Sequence, residues 1–168
     1  HTHGVVHRDV KPENILVGPF GEVLLLDWGL AKVRSEEGAP SDIDEMSSES
    51  LTEDPTMTGF QKLQGTIAYM SPEQIKKAPD IDGRTDIYSL GVVLYEALTG
   101  VKPSLGDTMD KIKASTLNDI PLIPSEISTT PISQVLDDIV MQCLAKDANK
   151  RMQSVGELIR LLKEGLGV

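Results

Sequence analysis

The chain is poor in cysteine and in basic residues, and it contains no long apolar run. Its single cysteine, Cys143, cannot form an internal disulfide or a thiolate zinc site, which favours a reducing compartment. The 16 Lys and Arg residues face 26 Asp and Glu residues, and the formal net charge of −10 argues against binding to nucleic acid or to an anionic membrane surface. No apolar stretch approaches the ~20 residues that span a bilayer. What remains is a globular chain of 168 residues, long enough to bury one hydrophobic core.

The beginning of the chain lacks two further features. The first residues are the polar His1, Thr2 and His3, with neither an initiator methionine nor the apolar stretch of a signal peptide. We therefore expect that the N-terminal part of the protein is missing from this sequence.

The acidic surplus is concentrated in one segment. Residues 35–55 contain eight Asp and Glu residues and neither Lys nor Arg, which leaves 18 acidic against 16 basic residues in the rest of the chain. The segment has no hydrophobic period and is rich in Ser and Thr. Because such a composition cannot offset its ordering entropy by burial, we predict a mobile loop.

The hydropathy pattern predicts a mainly helical fold. Two short apolar runs at residues 15–17 and 23–26 flank a turn rich in Gly and Pro, which is typical of a β-hairpin. Apolar residues at three- and four-residue steps predict helices from residue 84 to a stop at Gly100, over residues 135–144, and from a capping box at Ser154 and Glu157 through Leu162, with a weaker pattern over residues 107–116. Residues 117–130 are predicted to form a Pro-interrupted loop. The predicted fold class is mainly α with a small β-hairpin.

Three short motifs follow one another in a fixed order. HRDVKPEN occupies residues 7–14, DWG occupies residues 27–29, and SPE occupies residues 71–73 within the longer stretch GTIAYMSPEQ. Their order and type match the catalytic-loop, metal-binding and APE signatures of protein kinases. One three-letter motif alone is weak, whereas the ordered set is specific. The sequence therefore resembles the protein kinase family, and in particular the C-terminal lobe of a bacterial-type (eukaryotic-like) Ser/Thr protein kinase.

The resemblance implies chemistry for five residues. Asp9 matches the catalytic aspartate that accepts the proton of the substrate hydroxyl, and Lys11 matches the lysine that reaches the transferred phosphate. Asn14 and Asp27 match the two Mg²⁺ ligands, whose hard oxygen donors suit this cation, and together with Lys11 they are expected to bind Mg–ATP. Thr66 matches the threonine that ties the substrate-docking loop to the catalytic aspartate. Lys11 and Thr66 both favour Ser or Thr over Tyr as the phosphate acceptor.

Five further residues match structural positions of the family. His7 matches the histidine of the catalytic loop, and Asp86 matches the aspartate that begins the long helix and braces the backbone of that loop. Arg151 is expected to form a buried ion pair with Glu73. Gly91 matches a family glycine that allows close backbone approach.

Regulation is implied for the acidic segment. Residues 30–70 match the activation segment of the family and contain the acidic insertion rich in Ser and Thr. Arg8 precedes Asp9, and kinases with such an arginine are often switched by a phosphate that it binds. Thr56 and Thr58 are the candidate phosphorylation sites. The alternative is a solvated insertion whose hydroxyls have no role.

The resemblance departs from the family pattern at two positions and lacks one region. Trp28 replaces the usual phenylalanine of the second motif, and Ser71 replaces the alanine of the third. No GxGxxG occurs, so the Gly-rich loop is absent, as are the strand lysine and its glutamate partner. The full family domain is α+β with two lobes. We expect residues 1–164 to form a partial kinase domain, a C-lobe without its N-lobe, and residues 165–168 to form a tail.

The function implied by the resemblance is ATP- and Mg²⁺-dependent phosphorylation of Ser and Thr residues on protein substrates. The intact catalytic and metal-binding set favours this function over a pseudokinase-like or remnant lobe that acts only as an interaction module. The absent N-lobe favours that alternative for the isolated chain, which we expect to be inactive without it. GTIAYMSPEQ resembles a protein-substrate docking loop and so disfavours a small-molecule phosphotransferase. We expect no nucleic-acid partner, no membrane segment in this chain, and a cytoplasmic location, either as a free enzyme or as the kinase domain of a membrane-anchored parent.

Overall fold

The computed structural model describes residues 1, 3–27, 32, 33 and 64–167. Trp28, Gly29 and most of the predicted activation segment, including Thr56 and Thr58, lie outside these residues. The strands are β1 (Val5–Val6), β2 (Ile15–Val17), β3 (Val23–Leu25) and β4 (Lys32–Val33). The helices are α1 (Pro72–Ile75), α2 (Arg84–Thr99), α3 (Met109–Asn118), α4 (Pro124–Ile127), α5 (Gln134–Cys143) and α6 (Val155–Leu166). Residues 64–67 are also helical, and Pro12–Asn14 and Ala148–Lys150 form 3₁₀ turns.

The prediction of a mainly helical fold with a hairpin is confirmed. β2 and β3 pair antiparallel with Ile15 opposite Leu25, and Gly21 in the turn between them has a φ of +86°, which glycine adopts without steric cost. A second antiparallel pair joins β1 to β4 and was not predicted, because each strand has only two residues. β1 ends at the first residue before the HRDVKPEN motif, and β2 begins directly after it. The two sheets therefore position both ends of that loop.

Helix α2 forms the centre of the described core. Half of its sixteen residues are buried, and it ends at Gly100, whose φ of +75° and N–H bond to the Glu96 carbonyl complete the predicted stop. Two apolar clusters contain α2 residues: the first comprises Tyr69, Tyr88, Val92, Tyr95, Val140 and Leu144, and the second comprises Ile87, Ile139, Cys143, Met152 and Leu158. α2 is therefore packed against α5 and α6 at the same time.

Gly91 lies at a close approach between α2 and α5. A Cβ placed on Gly91 would lie 2.5 Å from the Cβ of Cys143 and 3.3 Å from a methyl of Leu144. Cys143 is fully buried, so its side chain has no solvent to move into. The close backbone approach expected at Gly91 is present.

Three helices differ from the predictions by two residues or more. α3 begins at Met109 rather than at residue 107, because the Thr108 side chain accepts a hydrogen bond from the Lys111 N–H and caps the helix. α4 lies within the predicted loop at 117–130, and its four residues are too few to show a period. α6 continues beyond Leu162 until Gly167 ends it at a φ of +71°. Residues 165 and 166 of the predicted tail therefore belong to the helix.

Replacing Gly91 by alanine should destabilise the fold. Overpacking in a filled core costs about 1–3 kcal/mol, and the better helix propensity of alanine offsets at most ~1 kcal/mol of this. We expect urea unfolding of Gly91→Ala to give a free energy of unfolding lower than that of the wild type.

The matched control is Gly156→Ala in α6, where the nearest atom to an added Cβ is 3.8 Å away. This variant should be as stable as the wild type or more stable by up to ~1 kcal/mol. A Gly91→Ala protein as stable as the control would contradict the close packing of α2 on α5.

Candidate active site

Asp9 lies at the centre of a polar cluster in the HRDVKPEN loop. The Lys11 ammonium donates to Asp9 Oδ2 at 2.8 Å, and the Asn14 amide donates to the same oxygen at 2.9 Å and to the Asp9 carbonyl at 2.8 Å. The side chains of Asp9 and Lys11 are only 11% and 16% exposed. These charge-assisted hydrogen bonds fix the orientation of the Asp9 carboxylate.

Lys11 also connects this loop to the segment before α1. Its Nζ donates to Thr66 Oγ1 at 3.2 Å, across 55 residues of sequence. The fold therefore brings Asp9, Lys11, Asn14 and Thr66, which the motifs singled out separately, into one connected site.

The hairpin places Asn14 and Asp27 at the same end of its two strands. Asn14 directly precedes β2, Asp27 follows β3 by two residues, and the N–H of Leu26 donates to the Asn14 carbonyl at 2.8 Å. Asp27 is exposed, and its φ of +59° lies in the left-handed region that Asp adopts more readily than most residues. Two oxygen-bearing side chains thus flank the end of the hairpin beside Asp9.

His7 is buried and links the loop to the hairpin. The Asp9 N–H donates to His7 Nδ1 at 3.3 Å, so this nitrogen is an acceptor. The ring hydrogen must then be on Nε2, which donates to the Leu26 carbonyl at 3.0 Å. The ring therefore contacts the residue before Asp27 and the backbone of Asp9 at once.

Asp86, in the first turn of α2, accepts hydrogen bonds from the backbone of the HRDVKPEN loop. Its Oδ2 accepts the His7 N–H and its Oδ1 accepts the Arg8 N–H, each at 2.8 Å. The residue is 4% exposed. Burial raises the pKa of Asp86, and the two backbone hydrogen bonds act against that rise.

Arg8 has a left-handed backbone conformation, with a φ of +68°. Its guanidinium Nε is buried and has no hydrogen-bond partner among the described residues. Burial lowers the pKa of Arg8, and the charge of Asp86 opposes the change. The HRDVKPEN loop therefore contains a cationic group whose Nε donor has no acceptor in the part of the chain that the structure describes.

A buried ion pair anchors α1 to the core. Arg151 Nη1 and Nη2 donate to Glu73 Oε1 and Oε2 at 2.7 and 3.0 Å, and Arg151 also donates to the carbonyls of Ala145 and Arg84. The Thr85 hydroxyl donates to Glu73 Oε1 at 2.8 Å. Burial alone would raise the pKa of Glu73, but the hydrogen bonds and charge of Arg151, together with the hydrogen bonds from Thr85 and the backbone, lower it overall.

The motifs gave no role to two residues that contact the site. His1 Nε2 lies 2.9 Å from Asp86 Oδ2, and Gln74 Nε2 donates to the Arg8 carbonyl at 2.7 Å. The spacing of Ser71 and Gln74 is that of a capping box, and this signal predicts the cap at α1 but not the bond across to Arg8. The candidate phosphorylation sites at Thr56 and Thr58 lie outside the described residues.

The donor set fits a magnesium–nucleotide complex. Asn14 uses both amide hydrogens on Asp9, so its side-chain oxygen is the atom left to bind a cation. Within the described ranges, no group of three or more His, Cys, Asp or Glu side chains could enclose a metal ion. The amide oxygen of Asn14 suits Mg²⁺, which typically binds one or two protein oxygens and takes its other ligands from water and phosphate.

This chain belongs to the protein kinase family, because the protein kinase domain matches it over residues 1–160. The serine/threonine-protein kinase PknD of Protochlamydia amoebophila is 41% identical over 163 residues, which cover 95% of this chain and 16% of that protein. PknD of Chlamydia caviae is 41% identical over 160 residues, covering 94% and 17%. The serine/threonine-protein kinase PknB of Mycolicibacterium smegmatis is 34% identical over 158 residues, covering 94% and 22%.

The chain spans 16–22% of the length of these curated relatives. Family membership implies the use of ATP and Mg²⁺ in general. None of the helices in the part of the chain that the structure describes is long and apolar enough to cross a membrane.

Removing Arg151 should destabilise the protein in a pH-dependent way. Arg151→Met leaves the Glu73 carboxylate buried without its cation, which typically costs about 3–5 kcal/mol. In the wild type, the lowered pKa of Glu73 adds stability at neutral pH that is lost as the pH falls through that pKa. In the variant, we expect burial without Arg151 to raise the pKa of Glu73, so that the variant loses stability as the pH rises. Urea unfolding should therefore show the largest difference at pH 7 and a smaller one near pH 4.

Arg160→Met is the matched control, because Arg160 forms an ion pair with Glu164 in which both side chains are more than half exposed. Its effect should stay below about 1 kcal/mol at either pH. If Arg151→Met lowered the free energy of unfolding by the same amount at pH 7 and near pH 4, a charged Glu73 without its partner would not be the cause of the loss.

Proposed function

We propose that this chain is the C-terminal lobe of a Ser/Thr protein kinase, which transfers the γ-phosphoryl group of ATP to Ser and Thr hydroxyls of protein substrates. The observation that carries the proposal is the cluster in which Lys11 and Asn14 both contact Asp9 Oδ2 and Lys11 reaches Thr66. Phosphoryl transfer depends on positioning and charge stabilisation more than on covalent catalysis. A carboxylate, an ammonium and an amide oxygen in one site supply those two requirements.

Asp9 is assigned the role of proton acceptor. Both side-chain contacts to its carboxylate from the described residues fall on Oδ2, so Oδ1 is the atom we assign to the substrate hydroxyl. The hydroxyl oxygen attacks the γ-phosphorus, its proton passes to Asp9, and the bond from phosphorus to the leaving oxygen of ADP breaks. Lys11, which contacts Asp9 and Thr66, is assigned the role of neutralising charge on the transferred group.

Asn14 and Asp27 are assigned as the magnesium ligands. When bound, Mg²⁺ neutralises the phosphate charge and orients the transferred group. The chain supplies an amide oxygen and a carboxylate from opposite strands of the hairpin, and the Leu26–Asn14 backbone bond fixes their spacing.

A second lobe is proposed to cover the hairpin. Leu16 and Leu24 face each other across the ladder and are 52% and 53% exposed, and Val17 and Val23 are 66% and 63% exposed. Because successive side chains of a strand point to opposite faces, both faces of the hairpin expose an apolar pair, and such surface is rarely left open to water. We assign its cover to the N-lobe of the family, which carries the Gly-rich loop and the strand lysine, and we expect weak ATP binding without it.

Phosphorylation of the activation segment is the proposed control. The buried Arg8 Nε has a donor without an acceptor among the described residues, and a phosphate would supply one. Thr56 and Thr58 in the segment between Asp27 and Thr66 are the proposed sites. A cytoplasmic location stays a prediction.

The first test is Asp9→Asn in the full-length protein. The amide keeps an oxygen for Lys11 but cannot accept a proton, so kcat for phosphorylation of a Ser/Thr peptide should fall by about 10²–10⁴. Asp110→Asn is the control, because the side chain of Asp110 is 96% exposed, and its kcat should equal that of the wild type. A loss below about threefold in Asp9→Asn would contradict the assigned base, and no transfer by the wild type would favour an interaction module.

The second test concerns Thr56 and Thr58. Replacing both by alanine should lower kcat by about tenfold, the worth of one lost charge-assisted hydrogen bond to Arg8. In a double-mutant cycle with Arg8→Gln, the threonine replacements should have little further effect. Thr130→Ala, in an exposed loop, is the control. Additive effects of the threonine and arginine changes would contradict a phosphate bound by Arg8.

A further inference from the structure

The peptide group between Arg8 and Asp9 is hydrogen-bonded at both of its ends. Its N–H, from Asp9, donates to His7 Nδ1 at 3.3 Å, and its carbonyl, from Arg8, accepts from Gln74 Nε2 at 2.7 Å. The shorter of these two bonds comes from α1, 66 residues along the chain. This peptide group immediately precedes the side chain to which we assign the proton transfer.

Arg8 needs such support because of its backbone conformation. A φ of +68° is unfavourable for a non-glycine residue and persists only where the surroundings fix it. Asp86 fixes the N–H of Arg8 at 2.8 Å, and Gln74 fixes its carbonyl. The strained residue is therefore held on one side by α2 and on the other by α1.

Gln74 is itself rigidly placed. Its Oε1 accepts the Ser71 N–H at 3.0 Å and its own N–H donates to Ser71 Oγ at 3.3 Å, so the side chain is fixed by the capping box of α1. The neighbouring Glu73 is anchored by Arg151. The amide hydrogen that reaches Arg8 therefore comes from a side chain with no freedom to turn away.

We propose that Gln74 is a positioning residue for phosphoryl transfer, which acts through the Arg8 carbonyl to fix the peptide group that precedes Asp9. The inference rests on the function proposed above, because it gives Gln74 a role in that reaction. α1 directly follows the segment that contains Thr66, so the bond also joins the proposed substrate-docking segment to the catalytic loop. A displacement of α1 would therefore move the peptide group before Asp9 through the bond from Gln74 to the Arg8 carbonyl.

Two substitutions of Gln74 distinguish its bond to the Arg8 carbonyl from its part in the capping box of α1. Gln74→Glu keeps an oxygen acceptor for the Ser71 N–H, as in an ordinary capping box, but it has no hydrogen to donate to the Arg8 carbonyl. Gln74→Met has a similar length and loses both the cap and the bond. If the bond to Arg8 matters, both variants lose activity, whereas if only the cap matters, the Glu variant matches the wild type.

The experiment measures steady-state kinetics and amide hydrogen exchange of the full-length protein. In both variants we expect kcat to fall by about tenfold with the KM for ATP unchanged, because a displaced catalytic group slows the chemical step without removing a nucleotide contact. Exchange in the peptide that contains residues 7–9 should become about tenfold faster, since one bond that closes this loop is lost. Gln142→Glu in α5 is the control for the added charge and should match the wild type.

Wild-type kcat in Gln74→Glu would overturn the proposal, and so would a loss of kcat without faster exchange in residues 7–9. If the wild-type protein transfers no phosphate at all, the proposed function fails. The exchange comparison then still decides whether Gln74 fixes the loop, so the two failures are distinguishable.

Discussion

The carboxylate of Asp86 accepts hydrogen bonds from two successive backbone N–H groups of the HRDVKPEN loop, and the geometry of the site depends on this contact. A buried carboxylate is unfavourable unless hydrogen bonds compensate it, and here the N–H groups of His7 and Arg8 do so at 2.8 Å each. These two bonds hold the loop in a conformation in which Arg8 has a positive φ and the Asp9 carboxylate contacts Lys11 and Asn14. Without this acceptor, two adjacent backbone donors would lack their partners in the interior of the protein.

The packing of α2 explains why Asp86 can act as a fixed point. The helix is packed on α5 and α6 through two apolar clusters, and Gly91 lets α5 approach within a distance that no larger residue permits. Around the same helix, Arg151 pairs with Glu73 and donates to the Arg84 carbonyl, so α1 and the start of α2 are joined. The rigid core therefore extends to the loop through Asp86 and through Gln74.

Much of this could be predicted from the sequence, because the motifs specify side chains that must meet. The hairpin, the long helix with its stop at Gly100, and the pair Glu73–Arg151 follow from local patterns or from the family resemblance. Thr66 was expected to tie its segment to Asp9, and the structure connects the two through Lys11, whose contact with Thr66 was not predicted. The contacts of His1 and Gln74 could not be predicted, since each depends on a register between elements more than 60 residues apart. The β1–β4 pair and α4 were missed because two- and four-residue elements carry no period.

The central claim is that Asp86 orders the loop that presents Asp9. Asp86→Asn preserves the size of the side chain but leaves one oxygen to accept from two N–H groups. Amide exchange at His7 and Arg8 in the full-length Asp86→Asn protein therefore tests this claim most directly. We expect exchange at these two amides to be faster by about tenfold or more, with kcat falling in parallel. Wild-type protection of both amides together with wild-type kcat would contradict it.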